Sequence, residues 1–141
     1  MTIKQISVFL ENQPGKLAEL AAVLSEQKIN LRAISVAEAS DFGIVRIIVD
    51  DVFNAVTILK NENYICSITD VIAVEVQDEP GMLANMIAVL GTEGINIEYM
   101  YTILGKKNDV AYMIIRTNDD AQAAKILDAK GFRIVGMDAM K

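Results

Sequence analysis

The chain has 141 residues, with 13 Lys and Arg against 19 Asp and Glu, a formal net charge of -6 and no histidine. A pI near 4.6 and the lack of any basic cluster longer than Lys106-Lys107 argue against nucleic acid as a partner, because a polyanion is repelled. The missing histidine removes Ser-His-Asp and Cys-His catalysis, His-ligated metal sites and the usual general base near neutral pH. Hydrophobic residues make up 52% and the mean hydropathy is +0.32, values that fit a packed globular protein. Its longest apolar stretches, Gly43 to Val49 and Val71 to Val76, fall far short of the roughly 18 residues that span a bilayer. Met1 to Leu10 is broken by Lys4 and Gln5, so it does not read as a signal peptide, and a cytoplasmic protein is expected. The lone Cys66 reads as a small core residue, with no disulfide inside the chain.

In chain order, Ile6, Val8 and Leu10 alternate as in a half-buried strand. The turn Asn12-Gln13-Pro14-Gly15 follows, and Leu17, Leu20, Ala21 and Leu24 then recur at helical spacing, predicting a helix with that face in the core. The chain returns as a strand beginning at Ile29, and a third strand covers Gly43 to Val49. Asp50-Asp51 offers a cap for a second helix carrying Val52, Val56 and Leu59, and Tyr64 to Ile68 closes the set as a fourth strand. The same order then repeats. Val71 to Val76 is a strand, Asp78-Glu79-Pro80-Gly81 a turn, and Leu83, Met86, Ile87 and Leu90 a helix face ending near Gly91 to Gly94. A strand from Ile95, another over Val110 to Arg116, a helix after Asn118-Asp119 with Ala123, Ile126 and Leu127, and a last strand over Phe132 to Met137 complete it.

The repeat is explicit in the letters. Pro14-Gly15-Lys16-Leu17-Ala18 is answered by Pro80-Gly81-Met82-Leu83-Ala84, and Ile29-Asn30-Leu31 by Ile95-Asn96-Ile97, both at an offset of 66. Two copies are too few for a solenoid. The reading is α+β, with two tandem ferredoxin-like βαββαβ modules, residues 1–69 and 70–141, each with two helices on one face of an antiparallel sheet. No Gly/Ser-rich linker separates them, and side-by-side pairing of the sheets is expected because it protects edge strands.

The Pro-Gly turns carry the candidate chemistry. Pro14 and Pro80 fix φ, Gly15 and Gly81 let a ligand approach the backbone, and the helices opening at Lys16-Leu17 and Met82-Leu83 offer N–H groups with partial positive charge. A carboxylate fits there. An ammonium needs acceptors, for which Asn12, Asn30, Asp78 and Asn96 are candidates; each also reads as an Asx turn or a cap. The copies differ where Met82 replaces Lys16, Asp78 replaces Asn12, and Tyr99 and Tyr101 replace Ala33 and Ser35, so two unequal sites are expected. Asp41-Phe42-Gly43 spells a magnesium-binding kinase tripeptide, but no phosphate loop or catalytic loop accompanies it and a hairpin turn is the better reading.

A first strand ending in Asn-x-Pro-Gly-x-Leu, a helix, and Ile-Asn-Leu or Ile-Asn-Ile opening the second strand resembles the ACT domain, over essentially the whole chain. The resemblance extends to small stand-alone tandem-ACT proteins of bacteria. It implies a non-catalytic regulatory module that binds a free amino acid where ACT units meet and signals to a partner enzyme of amino-acid metabolism. A homodimer is expected because the uncovered sheet face needs a partner, unless docking of the two copies covers it, and no cofactor or metal is expected. By motif position it implies Asn12, Gly15, Asn30, Asp78, Gly81 and Asn96 as ligand contacts. The alternative is a constitutive structural subunit of an enzyme complex.

Overall fold

A computed structural model describes residues 1–38, 40–77, 79–104 and 110–140. The chain divides into two compact units, Lys4–Thr69 and the residues from Asp70 onward, the latter joined by Met1–Ile3. The first unit runs β1 (Ile3–Glu11), α1 (Lys16–Glu26), β2 (Leu31–Glu38), β3 (Phe42–Val49), α2 (Val52–Asn61) and the start of β4 (Ile65–Gln77). Its strands lie in the order β2-β3-β1-β4, with β1 and β2 both antiparallel to β3.

The second unit continues with α3 (Met82–Thr92), β5 (Ile97–Leu104), β6 (Val110–Thr117), α4 (Asp120–Ala129), β7 (Arg133–Val135) and α5 (Met137–Met140). Ala73 of β4 pairs with Ile114 of β6 on one side and Val135 of β7 on the other, so its order is β5-β6-β4-β7. Both units are ferredoxin-like. Where separate strands over 64–68 and 71–76 were expected, β4 is one strand of 13 residues, because Ser67-Ile68-Thr69-Asp70 holds neither Gly nor Pro to break it.

Strand register explains the core. Ile6 faces Ile47 and Val8 faces Val45, and these four pack with Leu20 and Leu24 of α1 and Ala55 and Leu59 of α2. In the second unit Ile72, Val74, Met113 and Ile115 pack with Met86 and Leu90 of α3 and Ala123 and Leu127 of α4. Only half of each expected helix face is inside, however. Leu17 is 42% exposed, Leu83 44% and Ile87 40%, while Leu20, Leu24, Met86 and Leu90 are buried. On β2, Ile34 and Val36 share the core face of Ile47 and Val45, yet stand 49% and 56% exposed. The helix covers the central strands and leaves the edge strand open.

The last expected strand, Phe132 to Met137, is shorter than the alternation suggested: β7 has 3 residues, and the chain turns at Gly136 into α5. There a Cβ on Gly136 would sit 3.1 Å from Met1 Sδ, and the Tyr112 hydroxyl donates to the Ala139 carbonyl at 2.9 Å. Phe42 and Gly43 begin β3, as the hairpin reading of Asp41-Phe42-Gly43 requires. No helix among the described residues is long and apolar enough to cross a membrane.

Helix ends distinguish the units. After α1 and α2 the chain turns through the left-handed residues Lys28 (φ 56) and Asn63 (φ 67), where the second unit has Gly94 and Gly131. An L-residue pays roughly 1–2 kcal/mol in that region, most of it avoided by Gly. In urea denaturation Lys28→Gly is expected to raise the unfolding free energy by about 0.5–1 kcal/mol, and Gly94→Ala to lower it by about 1 kcal/mol.

Candidate functional site

The two Pro-Gly turns have the same backbone. Gly15 and Gly81 take φ 87 and 89 with ψ -15 in both, which explains glycine at each. Gln13 N–H bonds the Glu11 carbonyl at 2.9 Å and Glu79 N–H the Gln77 carbonyl at 2.8 Å. Lys16 N–H reaches Gln13 and Met82 N–H reaches Glu79 at 3.3 and 3.2 Å. A Cβ added at either glycine meets nothing within 4 Å, so each turn faces open space.

Among the described residues, neither α1 nor α3 has a side-chain cap at its N-cap glycine. The other two long helices do: Asp51 accepts from Asn54 N–H at 3.2 Å and Asp119 from Gln122 N–H at 3.1 Å. The contrast falls on the two motif-bearing helices, where Lys16 and Met82 N–H turn back onto Gln13 and Glu79 and, among the described residues, no side chain caps the amides that follow. At the first turn a cavity of ≈ 150 Å³ is lined by Asn12, Gln13, Lys16 and Leu17 of the turn and helix, by Leu10 and Glu11 of β1, and by Val36, Gly43 and Val45 of β2 and β3. That is smaller than the ~300–1,000 Å³ of ordinary small-molecule clefts. Met82 is half-buried and packs against the core, and Asp78 lies outside the described residues.

Asn30 and Asn96 lie elsewhere. Each follows its helix, and α1 has 11 residues, about 16 Å of rise, between the Pro-Gly turn and Asn30. The register agrees, since Glu11 pairs with Phe42 at the start of β3 whereas Leu31 pairs with Val49 at its end. Asn12 and Asn30 of one unit therefore sit at opposite ends of its sheet.

Around Asn30 the structure adds a residue that the sequence motif does not include. Asp50 accepts from Asn30 Nδ2 at 2.7 Å and from Arg32 Nε and Nη2 at 2.9 and 3.1 Å. A register shift between Leu31 and Ala33 is a bulge that aims Arg32 toward this carboxylate. The Asp50 hydrogen bond, with its charge adding, holds the guanidinium above its ordinary pKa against opposing desolvation. In the second unit Asn118 takes the equivalent place, its Oδ1 accepting from Asn96 N–H at 2.9 Å, and the bulge recurs between Ile97 and Tyr99. Asp50 and Asn118 are 68 apart rather than 66, since β2–β3 is joined by 3 residues and β5–β6 by 5, so an ungapped alignment of the two copies misses the correspondence.

The remaining candidates divide by strand face. Tyr99 and Tyr101 pair with Arg116 and Ile114 on the face away from the helices, while Met100 pairs with Ile115 and joins the core. Cys66 is a free thiol packed against the first core, and burial pushes its pKa up against the pull of Lys60. No group of three His, Cys, Asp or Glu among the described residues is placed to hold a metal ion.

Two ferredoxin-like units, each with a helix that starts after a left-handed Pro-Gly turn, define a tandem pair of small α+β domains. The chain belongs to the ACT domain family, the sequence model of the ACT domain pair matching residues 1–139. It is similar to protein BT0572 from Bacteroides thetaiotaomicron, with 39% identity over 96% of this chain and 92% of that one and a TM-score of 0.88. It also shares its fold with the ligand-free regulatory subunit of aspartate kinase from Thermus thermophilus, at 18% identity over 89% and 91% of the two chains and a TM-score of 0.63. Aspartate kinase from Synechocystis shows the fold at 20% identity and a TM-score of 0.58, over 89% of this chain but 24% of that one. No curated protein matches the sequence.

The caps give a direct check. Asp51→Ala and Asp119→Ala are each expected to cost about 1 kcal/mol in denaturant unfolding. Thermal unfolding of the two variants should show losses of similar size.

Proposed function

We propose that the protein is a non-catalytic regulatory module that binds a free amino acid and signals its presence to an enzyme of amino-acid metabolism, acting as a homodimer in the cytoplasm. The observation that carries this reading is the pair of uncapped helix starts at Gly15 and Gly81, set against side-chain caps on α2 and α4. The α-carboxylate of the ligand lies on the amides following Pro14-Gly15 or Pro80-Gly81, around Leu17 and Leu83, with Asn12 and Asp78 beside it. The Lys16 and Met82 positions give the two sites different chemistry. The ammonium is held by Asn30 or Asn96, together with Asp50 or Asn118. Because these groups stand at the far end of α1 from Asn12, a single unit does not complete the site, and another ACT unit supplies the second half. The presence of this fold in a protein described as the regulatory subunit of aspartate kinase supports regulation of an enzyme over catalysis.

The same incompleteness and the first unit's surface support the homodimer reading. A groove of ≈ 280 Å³ between α1 and β2 is lined by Leu17, Leu20, Ala21, Leu24, Ser25, Ile29, Leu31 and Ile34. Beside it β2 ends the order β2-β3-β1-β4, and residues 33–37 carry neither charge nor proline. Long uncharged edges of this kind invite pairing with another chain, and a second copy covers both edge and groove.

Calorimetry and thermal-shift measurements against the common amino acids test the ligand claim. One of them is expected to stabilise the protein, by about 2.7 kcal/mol at a hundred times its Kd. Asn30→Ala and Asn96→Ala should each reduce the shift, taken relative to the variant's own ligand-free midpoint. If no amino acid moves the midpoint, the reading fails. For the homodimer, Ile34→Asp with Val36→Lys is expected to give a monomer in sedimentation velocity; an unchanged dimer peak would place the interface elsewhere.

A further inference from the structure

A further cavity of the first unit, ≈ 400 Å³, opens where the end of β1 meets the start of α1 and the α2–β4 turn. Three aromatic rings, Phe9, Phe42 and Tyr64, form part of its wall. Phe9 and Phe42 stack in a tilted pair with centroids 6.2 Å apart, and both are exposed, at 42% and 45%, so the core does not account for them. Three carboxylates, Glu11, Glu19 and Glu62, share the cavity with one cation, Lys16. Lys16 Nζ stands 3.9 Å from Glu19, and neither Glu11 nor Glu62 has an ion-pair partner among the described residues. The field converges on Tyr64: its hydroxyl is held above its ordinary pKa first by burial, then by Glu19 and Glu62, which approach from two different elements.

The fold does not demand this composition. At the matching positions the second unit has Gln77, Asn85 and Lys130 for the three acids, and Glu75 and Arg133 for Phe9 and Ile65. Arg133 and Glu75 form an ion pair at 3.2 Å where the first unit has the apolar Phe9 and Ile65. Rings whose faces carry negative charge, three carboxylates against one lysine and a volume in the ~300–1,000 Å³ small-molecule range favour one ligand chemistry.

We propose that this cavity is a binding site for a small organic cation, an aliphatic ammonium or guanidinium compound, seated against Phe9, Phe42 and Tyr64 with its charge toward Glu11, Glu19 and Glu62. The site is peculiar to the first unit. It does not depend on the amino-acid reading, since it uses neither the amides after Gly15 nor Asn30.

Titration of the isotopically labelled full chain with n-butylammonium and n-butylguanidinium chloride, followed by amide NMR shifts at constant ionic strength, tests it. Saturable shifts are expected at residues 9–11, 16–19 and 62–65, with residues 129–133 unmoved and 1-butanol inert. The double variant Glu19→Gln/Glu62→Gln and the single variant Phe42→Leu, all at exposed positions, should each bind about tenfold more weakly. No saturable shift with either cation, an equal response to 1-butanol, equal shifts at residues 129–133, or undiminished affinity in the double variant would each overturn the proposal. Because no amino acid is used as a probe, failure here leaves the amino-acid site to be decided separately by the calorimetric screen.

Discussion

A left-handed glycine after proline governs how each unit is built. It turns the chain from the first strand into the first helix without lending a side chain to the helix start. Proline limits the turn on one side and positive φ limits it on the other, so the helix enters at a fixed angle above the central strands. That placement buries Leu20 and Leu24, or Met86 and Leu90, and leaves Leu17 or Leu83 toward the open edge. The same turn thus sets the core, the exposed groove and the uncapped amides.

The duplication and the element order were legible because their signals are local. Proline, glycine and alternating or helical apolar spacing all act within a few residues, and each appears twice in register. Less legible was anything decided by neighbours in space. Leu17 and Leu20 satisfy the same helical pattern, yet only the second is buried, because the pattern does not say where the covered strands end. Asn12 and Asn30 belong to one motif in sequence, but the helix between them carries them to opposite ends of the sheet. Asp50 was legible only as part of a cap for the second helix; its bonds to Asn30 and Arg32 join residues 20 and 18 apart, which no local pattern links.

Once both units share a backbone, their differences become informative. Lys28 and Asn63 stand where the second unit uses Gly94 and Gly131; asparagine tolerates the left-handed region, so it is at Lys28 that the first unit carries backbone strain its twin avoids. Aromatic rings and acids around Tyr64 correspond to an ion pair and amides around Phe132. Shared positions describe what the fold requires. Divergent ones, especially exposed rings and unpaired acids, show where the two units have taken on different chemistry.

The continuous strand β4 has a consequence for any attempt to dissect the protein. Residues 65–69 belong to one unit and residues 70–77 to the other, within a single extended segment. Limited proteolysis acts best on exposed flexible loop tips, and the junction offers none: the covalent link is itself sheet. A truncation placed there would leave one unit ending, and the other beginning, in a strand severed from its continuation, and Met1–Ile3 would be lost from the unit to which they belong. The natural piece to express, label or fuse is therefore the pair.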